Sequence, residues 1–162
     1  MIIQGFDLKE FVSKEIAAEY GDYIIWFVNP KLIGIAAWIK FKTASTVTIN
    51  DWVFGGQRNY CGYYDTSSLS DFSDYSNSKI IKEMRTADLQ HKMCNAIDVI
   101  VKGWSAEKVR QLIRDNFKDA HRFGLTTIMN HTEDWVHCDC RFTGANNDTL
   151  LEVASEKLKV GK

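Results

Sequence analysis

The sequence predicts an α+β domain in which helices pack on a small, mostly antiparallel sheet. Three observations carry that reading. The chain has 162 residues, 45% of them hydrophobic, enough for one core with ample burial. Apolar residues recur at helical spacing in the N-terminal and middle thirds. Short apolar or alternating runs follow in an order that does not alternate regularly with helices and that closes in a hairpin. No repeat and no linker composition divides the chain, so residues 1–162 are expected to form a single domain.

Taken in order, residues 7–20 place Leu8, Phe11, Val12, Ile16 and Ala17 near helical spacing, which predicts a helix. The apolar stretch "GDYIIWFVNP" follows, and Asn29-Pro30 supplies an N-cap with proline at the first helical position. The next helix carries Leu32, Ile33, Ala36, Ala37 and Ile39, and "STVTIND" alternates like a strand. Residues 55–78, rich in Gly, Ser, Asp and Tyr, read as a long irregular loop of the functional kind. "KIIKEMRTADL" predicts a short helix and "AIDVIV" a strand. "SAEKVRQLIRDNFKDA" predicts an amphipathic helix capped by Ser105, with Val109, Leu112, Ile113 and Phe117 on one face. "LTTIMN" and "WVHCDCRF" predict two strands of a hairpin around "HTED", and the chain is expected to close with a short helix and a basic tail.

A formal charge of −1 gives no global attraction to nucleic acid or to an anionic membrane. The longest apolar runs, such as Leu32 to Ile39, are too short to span a bilayer, so no stable membrane insertion is expected. "MIIQGFDLKE" lacks the basic region and long apolar core of a secretion signal, which predicts a protein made and folded in a cytoplasm or exported by a route not encoded in this sequence. The four cysteines, Cys61, Cys94, Cys138 and Cys140, include no C-x-x-C pair and are expected to be free and mostly buried.

Chemistry concentrates in "LQHKMCNAIDV" and "EDWVHCDCR". Asp98 lies inside an apolar strand, where an unpaired carboxylate costs on the order of several kcal/mol unless it is paired or holds a metal. His137 lies inside a second such strand, and His91 precedes Asp98 by seven residues. Two imidazoles, one carboxylate and an open position are a ligand set for catalytic zinc. A hydrogen-bonded core histidine and a salt-bridged aspartate fit the same spacing, which by itself leaves the two readings level. Strand parity puts His137 and Asp139 on one face and Cys138 and Cys140 on the other. Asp139 is then placed either to orient a ligand histidine or to form a salt bridge.

"QHKMCNAIDV" resembles the H-x-x-G-x-A-x-D signature of the zinc D-Ala-D-Ala carboxypeptidase family, which includes D,D-dipeptidases and the L-alanyl-D-glutamate endopeptidases of phage endolysins. "EDWVHCD", with its histidine 39 residues after Asp98, resembles the second signature, a W-x-H segment preceded by an acid. "WFVNPKLI", "TVTINDW" and "GGQRNYCGYYD" are similar to segments that precede the zinc motif in phage-encoded members, so the likeness spans roughly residues 7–142. The resemblance implies a hedgehog/D-Ala-D-Ala-peptidase-like fold with Zn2+ held by His91, Asp98 and His137. It implies a catalytic carboxylate just before the last histidine, at Asp134 or at the adjacent Glu133, to take a proton from water and return it to the leaving amine. The implied substrate is a peptidoglycan stem peptide or cross-link, cut by a D,D-carboxypeptidase or endolysin-type endopeptidase. Such an enzyme would act as a monomer and wait in the host cytoplasm until it is released to the wall. A non-catalytic wall-binding or virion protein retaining the fold is the alternative. The chain departs from the pattern at Cys94, where the family has glycine, at Leu89, where it has serine, and at Tyr63 or Tyr64, where it has arginine. Arg58 is the candidate to replace that arginine, and His131 is a candidate donor to the transition state.

Overall fold

The computed structural model describes residues 1–60, 62, 87–143 and 149–154. Ile2–Ile3 (β1) and Phe6–Asp7 (β2) form an antiparallel ribbon. Asp7 then caps a 3-10 turn over Leu8–Phe11 through a capping box with Glu10. Val12 is extended (φ −134°, ψ 162°), and Ser13 caps the helix Lys14–Tyr20 (α1). The helix expected over 7–20 is therefore two pieces, because two N-caps six residues apart each start a new element. Gly21–Trp26 is a second 3-10 turn.

Asn29 caps Pro30–Thr43 (α2) as the sequence predicts, its side-chain oxygen accepting from the Lys31 amide. This helix buries Leu32, Ile33, Ile35, Ala36, Trp38 and Ile39, so apolar residues cover most of its circumference, the mark of a central core helix. Val47–Thr48 (β3) is the expected strand. Of the expected loop 55–78, residues 61 and 63–78 lie outside the described residues, as do 79–86 of the helix expected next. Ala87–Lys92 (α3) is helical and leads into Ala96–Val101 (β4).

Ser105 caps Ala106–Asp115 (α4), and Asn116 breaks the helix there before Phe117–His121 (α5). One helix was expected, but the Asn116 side chain donates to the Leu112 carbonyl at 2.9 Å and its backbone leaves the helical region. Thr127–Met129 (β5) and Val136–Asp139 (β6) form the expected antiparallel pair. The expected closing helix is instead a strand over Leu151–Val153 (β7), parallel to β5. Pairing with an open sheet edge outweighs local propensity there, and Glu152 bonds Arg114 of α4 at 3.0 Å. The basic tail, 155–162, lies outside the described residues.

The five-stranded sheet has the order β3-β4-β6-β5-β7, antiparallel except for its last pair. The mixed α/β architecture with a small, mostly antiparallel sheet and packed helices agrees with the sequence reading. One sheet face, through Ile97, Val99, Val136, Cys138 and Ile128, joins α2 and the N-terminal segment in the core. Among the described residues no single helix is long and apolar enough to cross a membrane.

Leu32 is fully buried in the first turn of α2, so Leu32→Ala should cost about 2–5 kcal/mol. The measure is a lowered denaturant midpoint at unchanged m-value. Burial raises the pKa of Glu10, with the Asp7 and Ile49 amides partly offsetting it. A carboxyl whose pKa is higher in the folded state than in the unfolded chain loses stabilisation as pH climbs through that folded value. Glu10→Gln keeps an acceptor for the Asp7 amide. Its melting temperature relative to the native chain should rise from acid towards neutral pH, and a pH-independent difference would contradict this account.

Candidate metal centre

The register of β4 on β6 sets the site. Asp98 lies directly opposite His137, and Ala96 opposite Asp139, so these side chains share the sheet face away from the core. His91 arrives from the last turn of α3, which ends in a Schellman motif. The Asn95 amide bonds the Gln90 carbonyl at 2.8 Å, and the Cys94 amide bonds the His91 carbonyl at 2.9 Å. Cys94 occupies the left-handed position of that motif (φ 54°). The glycine of the resembled signature thus falls where the backbone favours glycine, and Cys94 adopts that conformation at a cost of roughly 1–2 kcal/mol. The turn folds the chain back so that His91 overhangs the strand carrying Asp98.

The three side chains converge. His137 Nδ1 is 2.9 Å and His91 Nε2 is 3.3 Å from the same Asp98 oxygen. One ligand atom from each residue lies within 4.8 Å of the others. Two atoms each about 2.0–2.1 Å from a tetrahedral ion lie roughly 3.3–3.4 Å apart. The donor set and its spacing therefore fit one metal ion, and the buried His91-Asp98-His137 group could bind it.

Both imidazoles are held by groups behind them. His91 Nδ1 is 3.2 Å from the Gly62 carbonyl, which can only accept, so that nitrogen carries a proton and Nε2, facing Asp98, is the nitrogen placed to ligate a metal. Gly62 can reach this place because it has no side chain: a Cβ there would lie 2.2 Å from the Phe11 carbonyl oxygen. His137 Nε2 is 3.1 Å from Asp139, leaving Nδ1 to face Asp98. Asp139, fully buried, also accepts from Arg141 Nε at 2.9 Å and pairs with Arg141 Nη2. Both roles left open for Asp139 by the sequence are filled at once: it orients a histidine and forms a salt bridge. Carbonyl and carboxylate partners of this kind fix tautomer and ring direction in metal sites.

The electrostatics match. Burial alone would raise the pKa of Asp98, but the charges and hydrogen bonds of His91 and His137 overcome it and hold the carboxyl well below the usual range. Burial alone would lower that of His137, but Asp139 and Asp98 overcome it and push the imidazole up to about 9. Positive charge is thus strongly favoured between these carboxylates, as a proton or as a metal cation competing for the same lone pair. Cys138 is fully buried on the opposite sheet face, and burial pushes the thiols of Cys94 and Cys140 up to about 11, so none of the three is a ready thiolate ligand.

The centre opens on the Asp98 side. A cleft of about 350 Å³ is lined by Gln57, Arg58, Asn59, Tyr60, Asp98 and Trp135. Arg58 is half-buried there, and its guanidinium has no partner among the described residues. Glu133 and Asp134 are exposed in the segment entering β6, just before Trp135, and neither belongs to the three-residue cluster. His131 is exposed in the same segment. That segment hangs on Arg110, whose guanidinium reaches the Thr132 hydroxyl at 2.8 Å and the Thr132 carbonyl at 3.3 Å, while the Thr132 hydroxyl bonds the Trp135 carbonyl. Arg110, Gly62 and Arg141 were not singled out from the sequence. Only Gly62 carried a signal, as a glycine in a loop already suspected of function. Leu89, Tyr63 and Tyr64 offer no side chains among the described residues.

No family model, curated protein or solved structure matches this chain.

Removing the groups behind the imidazoles should loosen the metal without deleting a ligand. Asp139→Asn and Gly62→Ala are each expected to weaken divalent-metal affinity by about 10- to 100-fold, measured by competition with a chromogenic chelator. Unchanged affinity in both variants would remove these two groups from the site.

Proposed function

We propose that the protein is a zinc-dependent peptidase of peptidoglycan, cutting stem peptides or cross-links in the manner of phage endolysin endopeptidases. The observation that carries this reading is the convergence of His91, Asp98 and His137, with the two imidazoles oriented by Gly62 and Asp139 and the open side facing a cleft. The order of these residues along the chain, the left-handed turn at position 94 and the strand pairing of Asp98 with His137 support a hedgehog/D-Ala-D-Ala-peptidase-like fold.

Bound here, zinc would supply a Lewis acid that polarises a peptide carbonyl and lowers the pKa of water from roughly 15.7 towards about 7. The chain's own residues then divide the work. His91, Asp98 and His137 hold the ion. Asp134, three residues before His137, takes the proton from water and delivers it to the leaving amine, and Glu133 is its neighbouring rival for that task. Arg58, in the cleft wall and with no guanidinium partner among the described residues, offers a positive charge to the carbonyl oxygen or to a substrate carboxylate. Trp135 and Tyr60 give the cleft aromatic walls against which a peptide can lie. In this reading the enzyme is a monomer that stays in the host cytoplasm until lysis.

A second reading, a wall-binding or virion protein that keeps the metal only for stability, is favoured by one observation: neither Glu133 nor Asp134 is among the described residues that line the cleft. The two separate on release of new amino groups from purified peptidoglycan, followed by mass spectrometry of the muropeptides. Peptidase activity should vanish with a chelator and return with zinc. Asp134→Ala should lower the rate by about 10²- to 10⁴-fold, with Glu133→Ala much milder. A zinc-loaded protein that releases no amino groups from any wall type would establish the second reading.

A further inference from the structure

A second concave site lies where the start of α2, the turn between α5 and β5, and the end of β6 meet. This cleft of about 370 Å³ is lined by Lys31, His121, Arg122, Arg141, Phe123 and Phe142 among others, and among the described residues no acidic side chain lines it. Such a cationic hollow runs against the chain's overall charge of −1.

The cationic groups are not equally committed. Arg141 is held by Asp139, and His121 Nδ1 bonds the Leu125 carbonyl at 3.0 Å. Lys31 and Arg122 are exposed, and their side chains have no ion-pair or hydrogen-bond partner among the described residues. The acid nearest Arg122 in sequence is Asp119, one helical turn earlier. Asp119 pairs with Lys42 at 2.9 Å and accepts from Trp38 Nε1 at 3.0 Å, and the charge of Arg122 acts on it more weakly, from beyond ion-pair distance. Lys31 is also placed, not merely present. Its stem crosses Gly124 so closely that a Cβ there would lie 2.8–2.9 Å from its Cβ, Cγ and Cδ atoms. Phe123 and Phe142 add apolar surface to the same cleft, and Phe142 is 88% exposed.

Two exposed cations without an ion-pair or hydrogen-bond partner among the described residues suit a dianion better than a single carboxylate. A phosphate monoester carries about −1.5 to −2 charge at neutral pH and offers three strong acceptor oxygens. Exposed phenyl rings beside the cations suit a ring attached to that phosphate. We propose that this cleft binds a phosphate monoester borne on a sugar or a nucleoside. The proposal uses none of the metal-centre residues and stands whether or not the protein is a peptidase.

Titration calorimetry of the full chain at low ionic strength, with inorganic phosphate, glucose 1-phosphate, adenosine 5′-monophosphate and uncharged glucose, tests it. One ester should bind about tenfold tighter than inorganic phosphate, and glucose should not bind. The tighter ester names the source, sugar or nucleoside. Lys31→Ala and Arg122→Ala should each weaken binding about tenfold, and Arg122→Lys should retain most of it. Phe142→Ala should weaken the ester while leaving inorganic phosphate unchanged. Unaltered circular dichroism and metal content show that the variants fold. Failure of all three phosphates to bind, or binding that survives the double Lys31→Ala, Arg122→Ala change, overturns the proposal. Equal affinity for inorganic phosphate and both esters overturns its organic part.

Discussion

A carboxylate largely withdrawn from water on a central strand has to be answered by positive charge, and the answer given to Asp98 organises much of this molecule. Its partner across the sheet is His137, set opposite by the β4–β6 register. A one-residue slip would send His137 to the core face and bring Val136 or Cys138 opposite. The second partner, His91, needs a helix that stops and turns back within four residues, which the left-handed conformation at Cys94 provides. Each imidazole then needs a proton acceptor behind it. One is a backbone carbonyl brought close by a glycine, the other a carboxylate that is itself neutralised by Arg141. A chain of satisfied polar groups thus runs from the cleft floor into the domain. In a low-dielectric interior each link is costly to leave unmade.

The three converging residues were legible in the sequence because they break the local rule. Charge inside "AIDVIV" and "WVHCDC" conflicts with the apolar pattern, and conflicts of that kind mark sites. Helix starts at Ser105 and Asn29 were equally legible, since capping is a local interaction. What escaped was decided at long range. Arg110 sits on an amphipathic helix like any surface cation, and only the approach of Thr132 buries it. Leu151–Val153 has no strong strand pattern of its own, and the unpaired edge of β5 recruits it. The division of residues 7–20 was missed because its two helical turns keep nearly the same apolar spacing across the extended residue at 12.

The sheet separates two kinds of demand. On one face Ile97, Val99 and Cys138 pack as an ordinary apolar core. The other face, through Ala96, Asp98, His137 and Asp139, is almost as dry yet polar. The six residues of β4 and the four of β6 suffice for both because neighbouring positions alternate. A substitution on β6 therefore acts through packing or through the polar cluster according to its parity.

The attachment of the 131–135 segment to Arg110 also bears on how that segment moves. Loops beside a cleft usually belong to the least protected parts of a fold and open independently of the core. Here opening must pull a buried guanidinium from a hydroxyl and a carbonyl, and that guanidinium is rooted in the middle of α4. The segment is thereby enrolled in the helix's own cooperative unit. Detachment of the segment from the core is thereby expected on the timescale of the helix rather than of a surface strap.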